Sequence, residues 1–93
     1  MSTGRAFHGD RVIVFVVPGS GTVAIVAGRR VGGAVDRNRA RRVLRATWRE
    51  VAPNVGDGYD VALVARAGVL KARTHELVTE VAELLARAEV SAR

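Results

Sequence analysis

The chain has no cysteine, which excludes disulfides and thiolate-bound zinc outright. Long apolar runs are missing too. The longest, Val12 to Val17, falls far short of the roughly 20 residues that cross a bilayer. The opening stretch, Met1-Ser-Thr-Gly-Arg-Ala-Phe7, lacks the apolar heart of a signal peptide. These absences make the cytoplasm the expected compartment, with no membrane-embedded part. No internal repeat or low-complexity segment is present.

Catalytic chemistry is equally sparse. His8 and His75 stand alone, neither paired with a carboxylate at metal-ligand spacing. Asp57 and Asp60 flank a turn and are expected to shape it. Gly19-Ser-Gly21 lacks the Gly-Lys-Ser/Thr that completes a phosphate loop, and Gly32-Gly33 misses the spacing of a dinucleotide fingerprint. No carboxylate cluster is available to hold catalytic metals, which argues against a protein-only nuclease. No cofactor is expected on the protein alone.

What the chain does have is positive charge gathered in one place. Its 93 residues, 48% of them apolar, suit one domain over 1–93 with a single modest core. The formal net charge is +6. Between Gly28 and Glu50, Arg29, Arg30, Arg37, Arg39, Arg41, Arg42, Arg45 and Arg49 face only Asp36 and Glu50. That stretch carries the whole net charge, and the remainder is balanced. Such concentration is the footprint of a nucleic-acid binder, with an anionic membrane surface as the alternative. The guanidinium fork suits phosphate oxygens and stacks on bases.

Placed on a helix at about 100° per residue, residues 34–50 separate into two faces. Ala40, Val43, Leu44, Thr47, Trp48 and Val51 share one arc at i, i+3, i+4 spacing. Arg37, Arg41, Arg45 and Arg49 run up the flank, with Asn38 and Arg42 beside them. Like charges four apart repel by roughly 0.2–0.5 kcal/mol per pair, and cations near a helix start oppose the macrodipole. A polyanion would relieve both penalties. Neutralising four or five phosphates would give log K a slope of about −3 to −4 against log salt.

Other elements follow in order. Gly4 to Gly9 is a lead-in able to supply a brief edge strand. Arg11 to Val17 reads as a strand, with Val12, Val14 and Val16 on one face and Ile13, Phe15 and Val17 on the other. After the turn residues Pro18 to Gly21, Thr22 to Ala27 is expected to return as a second strand, giving a β-hairpin. The arginine helix spans roughly Val35 to Val51 and stops at Pro53. Tyr59 to Ala65 is another strand. Thr74 is expected to cap a last helix, with Glu76 in its first turn. Its apolar stripe is Leu77, Val81, Leu84, Leu85 and Ala88, opposite Glu76, Glu80 and Glu83. The result is an α+β fold with helices on one sheet face and the other face open. Trp48 fits core packing or base stacking. Phe15 fits a core site or stacking on an open sheet face.

The segment Val23 to Glu50 resembles the protein subunit of bacterial ribonuclease P. The features that carry the likeness are a strand, the basic Gly-rich turn Gly28-Arg29-Arg30-Val31-Gly32-Gly33, and a basic helix opening on Arg37-Asn38-Arg39. The later strand and closing helix fall in the family's order. The resemblance implies a small mixed sheet of the ribosomal-domain type, with a left-handed βαβ crossover against the usual preference. It implies a noncatalytic subunit that assists a catalytic RNA in removing the 5′ leader of precursor tRNA, with Mg²⁺ handled mainly by the RNA. No obligate protein partner is implied. Arg29, Arg30, Arg37, Asn38, Arg39, Arg41, Arg42 and Arg45 would contact the catalytic RNA, and Phe15 matches an aromatic position on the leader cleft. Family members begin with a basic helix that walls this cleft. Gly4-Arg5 matches the segment after it, so that helix is expected to be missing. Asp36 stands where an apolar residue is common and is expected to cap the helix and partly screen Arg37. A general RNA-binding or ribosome-associated module is the alternative function.

Overall fold

A computed structural model describes residues 4–88. Its elements are β1 (Arg5–His8), β2 (Val12–Pro18), β3 (Val23–Ala27), α1 (Ala34–Val51), β4 (Tyr59–Ala65) and α2 (Thr74–Arg87). Short 3-10 turns at 52–54 and 69–71 follow α1 and β4. The four strands form one mixed sheet in the order β1-β2-β4-β3. β2 pairs antiparallel with β1 and β4, whereas β4 pairs parallel with β3.

The fold class is the expected one, but the pairing of β2 with β3 is not. β4 lies between them, so no hairpin forms there; the antiparallel hairpin is β1–β2 instead. The loop after β2 passes over the start of β4 rather than turning back on β2. Asp60 holds it there: one carboxylate oxygen accepts the backbone N–H groups of Ser20, Gly21 and Thr22 at 3.0, 3.0 and 2.8 Å. Gly21 supports this path with φ of 102°, a conformation open mainly to glycine. Those three hydrogen bonds, led by that from Thr22, hold the Asp60 carboxyl below the usual carboxylate range. Asp60 thus shapes the turn, as its position suggested, though the turn belongs to a different loop.

The alternation in β2 is realised. Val12, Val14 and Val16 are buried with Val61, Leu63 and Ala65 of β4. Onto them pack Ala40, Leu44, Thr47 and Val51 of α1 and Leu77, Val81, Leu84 and Leu85 of α2. Thr47 tolerates full burial because its hydroxyl donates to the Val43 carbonyl at 2.9 Å. Pro53 falls in the 3-10 turn that ends α1.

Both helix starts depart from expectation by their caps. α1 is preceded by Gly33 with no side-chain cap, so Asp36 sits in the first turn without capping. Its side chain lies where a Cβ on Gly32 would stand, and Gly32 has φ of 144°. A glycine is therefore required at that approach. α2 is preceded by Arg73, and Thr74 is its first helical residue. The capping contact comes from Glu76, whose carboxylate accepts the Arg73 N–H at 2.8 Å. That bond pulls the Glu76 carboxyl below its ordinary value.

Candidate nucleic-acid interface

The arginines reach solvent because Ala40, Leu44, Thr47 and Val51 are the α1 residues buried against the sheet and α2. Asn38, Arg39, Arg42, Arg45 and Arg49 are exposed, and Arg37 and Arg41 are half-buried. Arg37 donates to the Gly32 carbonyl at 3.4 Å, and Arg41 donates to the Asn38 side-chain oxygen at 2.9 Å. Asn38 therefore orients a guanidinium as well as standing beside it. Neither contact neutralises charge. The one ion pair among the described residues joins Arg11 to Glu80 at 3.4 Å, away from this helix.

Arg29 and Arg30 precede the helix in successive tight turns, closed by Val31 N–H to Gly28 and Gly32 N–H to Arg29 at 3.1 Å each. Both side chains are exposed. Their location depends on the parallel pairing of β3 with β4, in which Ala27 lies beside Ala65. The chain leaves both strands at the same end of the sheet, so Arg66 emerges next to Arg29 and Arg30. These three arginines and His8 rim a cavity of about 480 Å³ over Val26 and Val64. Arg66 donates to the Gly9 carbonyl at 2.9 Å. Sequence reasoning did not single out Arg66 or His8 for this place. The signal was the position of Arg66 directly after a strand, but it becomes readable only once the parallel register is known.

Phe15 is not brought against the arginine helix. It lies on the opposite face of the sheet, 43% exposed, with Val17 and Val26 also exposed there. Among the described residues no helix covers this face. Apolar side chains open to water over a continuous sheet surface mark a binding surface more often than chance exposure. The basic and apolar surfaces meet at the Gly28–Arg30 turn. Trp48 is half-buried against the core at the far end of α1. His75 is exposed on α2 and belongs to neither surface.

The family model described as Ribonuclease P matches residues 1–89 of this chain. The ribonuclease P protein component of Dehalococcoides mccartyi is 31% identical over 93 residues, covering 97% of this chain and 76% of that protein. The corresponding component of Symbiobacterium thermophilum is 44% identical over 66 residues, covering 71% of this chain and 57% of the relative. Among solved structures, the RNase P protein of Thermotoga maritima superposes with a TM-score of 0.78 at 20% identity, covering 90% of this chain and 83% of that one. The Staphylococcus aureus RNase P protein gives 0.76 at 19% identity, covering 94% and 83%. At such identities the superpositions speak for the fold: the mixed sheet and two helices are shared.

Proposed function

The chain belongs to the ribonuclease P protein family, and from that premise we propose that it binds the catalytic RNA of ribonuclease P and assists removal of the 5′ leader from precursor tRNA. The observation that carries this reading is the unneutralised arginine surface of α1 and the turn before it. Arg29, Arg30, Arg37, Asn38, Arg39, Arg41, Arg42 and Arg45 contact the RNA backbone, each guanidinium replacing condensed counterions. Arg41, braced by Asn38, presents its fork in a fixed orientation, which favours paired hydrogen bonds to phosphate. By lowering repulsion between two polyanions, the chain lets the catalytic RNA and its substrate approach at lower salt cost. Phe15 and the uncovered sheet face receive unpaired leader bases by stacking.

In this reading the chain is a noncatalytic subunit. Among the described residues no group of three or more His, Cys, Asp or Glu side chains is placed to hold a metal ion. The metal that the reaction uses is assigned to the RNA. Among the described residues no helix is long and apolar enough to cross a membrane; the proposed work on newly made precursor tRNA is what assigns the chain to the cytoplasm.

Reconstitution tests the proposal. Precursor tRNA is incubated with the chain, with the cognate catalytic RNA, and with both, at limiting Mg²⁺. Cleavage is expected from the RNA, strongly enhanced by the chain, and none from the chain alone. Cleavage without RNA, or no enhancement by the chain, overturns the assignment.

A further inference from the structure

Near the C-terminal end of α1 the structure holds a second cavity, of about 350 Å³, walled by Trp48, Val55 and Tyr59 and floored by the Ser20–Gly21 loop. That volume lies within the roughly 300–1,000 Å³ of small-ligand clefts. The loop wall is preorganised, because Asp60 fixes the backbone of Ser20 and Gly21. Among the described residues no buried polar side-chain atom lacks a partner, and neither the indole N–H of Trp48 nor the Tyr59 hydroxyl bonds to a described residue. Both polar tips therefore open to solvent.

The surroundings of the cleft are as informative as its walls. Trp48 follows Arg45 by three residues and precedes Arg49, so on the helix it borders the upper end of the arginine row. Both arginines are exposed. Asp57 stands at the rim and is also exposed. A carboxylate there repels phosphate but accepts hydrogen bonds from the amino or imino groups of a nucleobase. Cations outside the opening, aromatic walls within and an acceptor at the lip fit a nucleotide entering base first. We propose that the Trp48–Tyr59 cleft takes one unstacked nucleobase of an RNA strand whose phosphates lie against Arg45 and Arg49. This rests on the reading that the arginine face of α1 meets RNA, and it adds a base-contacting site on the helix side of the sheet, opposite Phe15.

Trp48 is the single tryptophan of the chain, so its fluorescence reports the cleft alone. The full chain is titrated at low salt with short single-stranded oligoadenylate and with a strand of equal length that carries the same phosphates without bases. Saturable quenching is expected with oligoadenylate only, and the abasic strand is expected to bind about tenfold more weakly, as one lost base–aromatic stack requires. Tyr59→Leu, with folding checked by thermal melting, is expected to weaken oligoadenylate binding about tenfold and leave abasic binding unchanged. Salt-dependent binding of both strands with equal affinity and unaltered fluorescence overturns the cleft while leaving the arginine face intact. Failure of both strands to bind overturns the underlying reading as well.

Discussion

The two helices lie on one sheet face and bury comparable apolar stripes, yet they treat their charges in opposite ways. On α2, Glu76 turns back to the Arg73 N–H, and Glu80 accepts the N–H groups of Arg11 and Val12 at 2.8 and 2.9 Å while pairing with the Arg11 guanidinium. Those carboxylates hold the β1–β2 turn and the helix start. On α1 the guanidiniums touch, at most, a neighbouring carbonyl or amide. Charge that is tied into backbone hydrogen bonds serves the fold. Charge of one sign, left without counterions and against the helix dipole, is available to a partner.

If the buried stripes are equivalent, Leu44→Ala and Leu77→Ala, both fully buried, should each lower stability by about 2–5 kcal/mol. Urea unfolding measures this, and a value near zero for either would break the symmetry. Glu80→Gln comes next. It weakens the acceptor for two N–H groups, and a loss of about 2 kcal/mol is expected, with no change in the salt slope of RNA binding. Arg37→Ala with Arg41→Ala should do the reverse. Thermal melting should be unchanged, while affinity for the catalytic RNA falls at least tenfold. The log–log salt slope should become shallower by about 1.4–1.8. Unaltered affinity in that double variant would remove the distinction between the helices.

Titration gives the smallest effect. Asp60 and Glu76 both have folded-state pKa values below their ordinary ones, chiefly through N–H donors from Thr22 and Arg73. Their contribution is complete above the ordinary carboxylate range and is lost as pH falls through the depressed values. Melting temperature should decline on acidification, and Asp60→Asn with Glu76→Gln should start lower and decline less steeply.

Much of this was legible from residue order. The i, i+4 arginine row, the apolar arc of α1 and the alternation in β2 are local patterns, fixed by helical and strand periods. Strand partnership is not local, which is why Thr22 to Ala27 reads as the return arm of a hairpin. Nothing in Pro18 to Gly21 announces that Asp60, some forty residues on, will capture that loop over the end of another strand. The same blindness hid Arg66. Its place beside Arg29 and Arg30 follows from β3 and β4 running parallel. Helix caps were misplaced by a residue or by identity because neither Gly33 nor Arg73 has a hydroxyl or carboxylate side chain to signal a cap; extended backbone marks both, and at Arg73 the capping contact comes from Glu76.

The insertion of β4 between two strands made earlier also sets the order in which the molecule can assemble. While residues 59–65 are still inside the ribosome, β2 and β3 have no central partner, and the apolar side of α1 has an incomplete surface to settle on. Assembly must wait until β4 has emerged, since the pairings that close the sheet join distant parts of the chain. During that interval a nascent polypeptide would expose strand edges prone to sticking together with a row of free cations. A product truncated before Tyr59 is therefore expected to aggregate rather than persist as a smaller folded unit.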